Sequence, residues 1–115
     1  MRAVQVGPVR YFPGSGCVVF EDGAVVDLTV REEELFDLLR QPPYVAVPFS
    51  VLCESMAMSA DSIKQLASGI RLKLGPTSIM ASRGRGYRLN PAGIVRVEWR
   101  PRLLDVTAAR RRGSG

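Results

Sequence analysis

The sequence predicts an α+β domain with a small N-terminal antiparallel sheet, three helices and a C-terminal β-hairpin. Three observations predict it. Before residue 29, short apolar stretches alternate with turn clusters, Pro13-Gly14-Ser15-Gly16 and Glu21-Asp22-Gly23, the spacing of a strand meander. From Asp61 to Leu74 the period changes. Ile63, Leu66, Ile70 and Leu74 recur at spacings of three, four and four, which places them on one helical face with Ala67 beside them. Residues 81–89 then read ASRGRGYRL, where Gly84 and Gly86 permit the positive φ that a tight hairpin needs.

Each element follows in order. Ala3 to Phe12 reads as a first strand interrupted by Gly7-Pro8, and Pro8 marks either an edge strand or a bulge. Cys17 to Phe20 is a second strand and Ala24 to Leu28 a third, joined by the strong Asp22-Gly23 turn. Thr29 caps the first helix, and Glu32 completes a capping box of the T-x-x-E type. Leu35, Leu38 and Leu39 face the core. Glu32, Glu33 and Glu34 crowd the positive end of the helix dipole, where they are favourable. Consecutive residues fan around a helix, so this triplet does not converge on a metal or a substrate.

Gln41 to Tyr44 is a loop, and Val45 to Val47 a short extended piece. A second helix is expected from Pro48, a tolerated first position, to about Ala57, with Phe49, Leu52 and Met56 buried. A short loop, Met58 to Ala60, leads to the third helix, capped by Asp61 or Ser62. Gly75-Pro76 ends it, with Gly75 in a left-handed cap. Ile79-Met80-Ala81 and Tyr87-Arg88-Leu89 are the hairpin strands, with the Tyr87 ring packed beneath. Residues 1–91 form the domain; residues 92–115 form an extension. Within it, Ile94 to Trp99 alternates apolar and charged residues, predicting a strand at 94–99 that pairs with the hairpin or with another copy, anchored by Trp99. Leu103 to Ala109 is either a short helix or a frayed tail. The last residues, AARRRGSG, are expected to be disordered and to grip phosphate nonspecifically.

Composition excludes several classes. The apolar fraction of 46% suits a globular chain rather than a disordered one. The absence of histidine removes His-based triads, His general bases and Cys/His metal sites. Cys17 and Cys53 are too few and too far apart for a zinc site, and two buried thiols are preferred to a disulfide. No nucleophile–base pair, phosphate loop or metal cluster supports an enzyme, and no cofactor is expected. No apolar run approaches the roughly 18 residues of a membrane span, and MRAVQVGPVRYF lacks a signal-peptide core. A cytosolic protein is the default, and the chain is either natively started at Met1 or a truncated piece.

The net charge of +5 hides a split. Residues 1–61 carry four Lys/Arg against nine Asp/Glu, giving −5, and residues 62–115 carry twelve against two, giving +10. Positive charge gathered on the third helix, the hairpin and the tail is the electrostatic footprint of polyanion binding.

Three stretches, DGAVVDLTVREEELFDLL at 22–39, IKQLASGIRLKL at 63–74 and SRGRGYRL at 82–89, resemble in order and spacing the winged helix-turn-helix DNA-binding domain of OmpR/PhoB-type transcriptional regulators. The resemblance covers roughly residues 3 to 90. It implies a bacterial response-regulator effector domain, here without a receiver domain, whose third helix enters the DNA major groove and whose hairpin is the wing. A helix about 20 Å long fits a groove roughly 12 Å wide. Lys64, Gln65 and Ser68 would face base edges, Gln65 being suited to adenine. Arg71 and Lys73 would contact phosphates. Arg83 and Arg85 would lie along or in the minor groove, with Arg88 on the same projecting loop. About five phosphate contacts would give a log–log salt slope of roughly −4 to −5.

Some residues depart from the family pattern. Ser68 and Gly69 stand where basic residues are common. Gly69, which costs a helix about 1 kcal/mol relative to Ala, either admits a close neighbour such as DNA or is drift. Leu72 on the polar face would meet a thymine methyl or a protein. Phe49 and Val51 either pack on the C-terminal extension or form a partner surface. The short loop after the second helix weakens a classical activator's contact with RNA polymerase, a partner in some relatives. Self-association on tandem sites is the family's habit. With no receiver domain, control would come from abundance, a partner or self-association. The competing readings are a winged-helix module for protein contact with the transcription machinery and a nonspecific architectural DNA-binding protein.

Overall fold

A meander opens the chain in the computed structural model, which describes residues 2–83 and 86–97. Strands β1 (Val4–Val6), β2 (Val9–Phe12), β3 (Cys17–Val19) and β4 (Val25–Asp27) form one antiparallel sheet in sequence order. The expected single strand over residues 3–12 is instead a hairpin. Val6 pairs with Val9 across Gly7-Pro8, and Gly7 takes φ +56°, a value glycine adopts without steric cost. Gly7-Pro8 is thus a turn, and the sheet has four strands rather than three. Asp22-Gly23 turns as predicted, with the Ala24 amide donating to Asp22 Oδ1 at 3.0 Å.

Helix α1 (Val30–Arg40) carries the complete capping box. The Glu32 amide donates to Thr29 Oγ1 at 3.2 Å, and the Thr29 amide donates to Glu32 Oε1 at 3.0 Å. Leu35, Phe36 and Leu39 are buried, while Leu38 is half-buried. Tyr11 of β2 meets Phe36 edge to face, with ring centroids 4.8 Å apart, and this contact joins the meander to α1. Tyr11 Oη lies 2.7 Å from Glu33 Oε2 and 2.9 Å from Asp37 Oδ1, so its one proton serves two carboxylates in turn. Arg40 pairs with Asp37 at 2.9 Å and also covers the Tyr11 ring.

Burial, reinforced by Glu33 and Asp37, pushes the Tyr11 phenol well above its ordinary range. An unfolded tyrosine ionises near pH 10. The stability due to this shift is therefore complete below about pH 10 and is lost as pH rises above it. Denaturation between about pH 9 and 12 is expected to show a steeper alkaline loss in the wild type than in Tyr11→Phe; equal slopes would refute the assignment.

Helix α2 (Phe49–Met56) begins one residue later than expected, with Pro48 at the cap position. Val47–Pro48 is strand β5 and pairs with β7 (Gly86–Leu89), which pairs in turn with β6 (Ile79–Ala81). The second sheet therefore has the order β5-β7-β6. Gly86 is required there, because a Cβ would collide with the backbone carbonyl of Val47. Helix α2 buries Leu52 and Met56, while Phe49 is half-buried against Tyr87 of β7. Cys17 and Cys53 are free and half-buried.

Helix α3 (Ala60–Leu74) starts earlier than predicted. Ser59 is the cap, accepting from the Ser62 amide at 3.2 Å, while Asp61 lies in the first turn. Ile63, Ala67, Ile70 and Leu74 are buried as their spacing requires, with Leu66 half-buried. Gly75 ends the helix, but its φ +114° and ψ 148° are not the left-handed cap. The chain leaves extended and returns: the Val95 amide donates to Leu74 O at 2.8 Å, satisfying one of the carbonyls a helix end leaves open.

Over 94–97, the described part of the strand expected at 94–99, the chain takes a different course; residues 98–99 lie outside the described residues. Pro91–Gly93 is a 3-10 turn, and residues 94–97 join no ladder. Ile94 is buried in the main core, and Arg96 pairs with Asp22 at 2.7 Å. Packing thus continues past residue 91, where the sequence placed the domain edge. Trp99 and the basic tail lie outside the described residues. The Ala24 amide, and then Arg96, hold the Asp22 carboxyl below its usual range.

Candidate nucleic-acid interface

The exposed side of α3 and the β6–β7 hairpin form one surface. Lys64, Gln65 and Ser68 are exposed along α3, as the helical period requires of positions opposite Ile63, Ala67 and Ile70. Lys64 and Arg71 are seven residues apart and so recur on the same face. Each lies over an aromatic ring. Lys64 Nζ is 5.7 Å from the Phe49 ring centroid, and the Arg71 guanidinium carbon is 5.3 Å from that of Tyr87. The two rings meet edge to face at 5.1 Å, so two cations of α3 flank an aromatic pair drawn from α2 and β7. Arg71 Nε also donates to Ile79 O at 2.9 Å. Through Arg71, the helix is fastened to both strands of the hairpin.

The hairpin itself is antiparallel, with Ile79 opposite Leu89, Met80 opposite Arg88 and Ala81 opposite Tyr87. Tyr87 is 5% exposed, which agrees with its expected place beneath the hairpin. Arg83 is exposed at the start of the turn with φ +33°. Arg85 lies outside the described residues. Arg88 is half-buried, and its Nε is enclosed without a hydrogen-bond partner among the described residues.

Lys73, expected from sequence as a phosphate contact, is turned to the other flank of α3. Its ammonium donates to Glu32 Oε1 at 2.6 Å and to Asp27 O at 2.9 Å. Helical geometry explains the difference: Lys73 lies roughly 140° around the axis from Ser68, on the flank facing α1. Gly69 has the same cause. A Cβ there would collide with the Glu32 carboxylate, so the glycine admits an internal side chain rather than DNA. No local pattern announces this cluster, because its partners are separated by 41 and 46 positions.

Among the described residues no group of His, Cys, Asp and Glu could hold a metal ion, and no helix is long and apolar enough to cross a membrane.

No protein-family model matches the chain, and no curated protein matches it. Among solved structures, the C-terminal domain of the nisin resistance regulator NsrR, a lantibiotic response regulator, is similar to it. The TM-score is 0.65 at 22% identity, over 74% of this chain and 94% of that chain. Helices α1 to α3 and their two antiparallel sheets therefore have the fold of a response regulator's C-terminal domain.

Proposed function

We propose that this domain binds duplex DNA sequence-specifically as a transcription regulator of the OmpR/PhoB type, with α3 in the major groove and the β6–β7 hairpin as a wing. The observation that carries this reading is the pairing of an exposed polar strip on α3 with a hairpin held beside it by Arg71. The likeness to a response regulator's C-terminal domain and the +10 charge of residues 62–115 support it. Lys64, Gln65 and Ser68 face base edges, Gln65 making a bidentate contact with adenine. Arg71 and Arg88 hold phosphates, and Arg83 and Arg85 lie at the minor groove. RNA polymerase and a second copy on a tandem site are further partners in this reading, which places the protein at the nucleoid.

Because Lys73 is engaged internally, about four phosphate contacts remain. The expected log–log salt slope is therefore roughly −3 to −4. The test is selection of random duplex DNA at two salt concentrations. An enriched motif with that slope supports the proposal. Binding without a motif indicates an architectural protein. No binding at physiological salt refutes the DNA reading in favour of a protein-contact module.

A further inference from the structure

We propose that Leu72 is a base-reading residue whose target is the 5-methyl group of thymine; this rests on the DNA-binding reading above. Leu72 is 64% exposed near the C-terminal end of a 15-residue helix. By helical geometry it lies about 20° around the axis from Gln65 and roughly 40° from Ser68. It therefore stands at the angular centre of the outward strip, not on its edge.

A single exposed leucine is ordinary on a protein surface. What distinguishes this one is the fate of its neighbours. Arg71 is drawn to the hairpin, with Nε on Ile79 O at 2.9 Å and the guanidinium over Tyr87. Lys73 is drawn the other way, onto Glu32 and Asp27. The two cations beside Leu72 in sequence thus part around it. The last turns of the strip then present an apolar group, while the earlier turns present Lys64, Gln65 and Ser68.

The major-groove edges of the bases are hydrogen-bonding groups with one apolar exception, the C5-methyl of thymine. Over any other base edge, Leu72 would cover a donor or acceptor without replacing its hydrogen bond to water. Over thymine it would remove two apolar surfaces from water. Leu72 and Gln65, on one strip two turns apart, would then read thymine and adenine by unrelated chemistry.

The test uses two random duplex pools, one synthesised with thymine and one with uracil, which lacks only this methyl. The full chain and its Leu72→Ala variant are each selected on both pools. Leu72 is exposed, so the variant should keep its fold, checked by circular dichroism. The wild type should enrich a motif from the thymine pool that contains at least one T whose replacement by U weakens binding about fourfold, the factor corresponding to one buried methyl. Leu72→Ala should enrich the rest of that motif from both pools, with this position relaxed. Equal motifs and affinities for the wild type on both pools would overturn the inference while leaving DNA binding intact. Uracil sensitivity retained by Leu72→Ala would also overturn it, because another group would then read the methyl. If the wild type enriched no motif from either pool, sequence-specific binding and this inference would fall together.

Discussion

Glu32→Ala is expected to lower the free energy of unfolding by about 3 kcal/mol, a large share of a small domain's stability. Glu32 is 7% exposed and has three tasks. It accepts the Thr29 amide, it pairs with Lys73, and it fills the space that Gly69 leaves. Loss of the cap interaction is worth about 1 kcal/mol. Removing one partner of a fully buried pair costs about 3–5 kcal/mol, and the 30% exposure of the Lys73 side chain reduces that figure. Glu32→Gln keeps the acceptor and the shape, so roughly 1–2 kcal/mol is expected. Urea unfolding midpoints at constant slope measure both. The double variant Glu32→Ala with Gly69→Ala should be more stable than Glu32→Ala alone, because the new methyl occupies the vacated space and removes the helical glycine. A Glu32→Ala loss below about 1 kcal/mol would show that the cluster is peripheral to stability.

Arg83→Ala combined with Arg85→Ala is expected to weaken DNA binding ten- to a hundredfold at about 0.15 M salt and to flatten the log–log salt slope by about 2. Arg83 is exposed at the hairpin turn, so its loss should not disturb the core. Lys73→Ala is the informative comparison. Its ammonium is committed to Glu32 and Asp27, so it should reduce stability and leave the salt slope nearly unchanged. Fluorescence anisotropy titrations across salt concentrations separate the two cases. A change of less than about threefold in the double arginine variant would remove the wing from the interface.

Elements set by neighbouring residues were legible in the sequence. Thr29 and Glu32 are three positions apart, and their reciprocal cap formed as read. Asp22-Gly23 made its turn, and Ile63, Ile70 and Leu74 are buried. Errors arose where several local readings were equivalent. Asp61 and Ser62 are the caps expected from sequence, yet Ser59, a third residue of the same capping chemistry, holds the position. Gly7-Pro8 suits an interruption as well as a turn, and pairing of Val6 with Val9 decides for the turn. At 94–97 the alternation was real but misleading. Ile94 is buried because the chain returns over the end of α3, not because it lies in a sheet.

The candidate surface was legible to a similar extent. Helical period alone exposes Lys64, Gln65 and Ser68. Period could not show that Lys73 and Gly69 both answer to Glu32, since that carboxylate arrives from a distant part of the chain. Nor could it show that Phe49 packs on Tyr87. Basic residues in one segment look alike until their partners are known, and two of the three cations in α3 beyond its first turn, Arg71 and Lys73, have specific hydrogen-bond partners.

The fastening of α3 to the hairpin through Arg71 also bears on conformational entropy. The guanidinium bonds β6 and covers a ring of β7, so the angle between helix and hairpin is fixed when the chain folds. A ligand touching both elements meets a frame already oriented, and the ordering cost of that angle is not incurred again at association. Uncoupling the two elements at Arg71 would therefore lower affinity by more than the loss of its own phosphate contact.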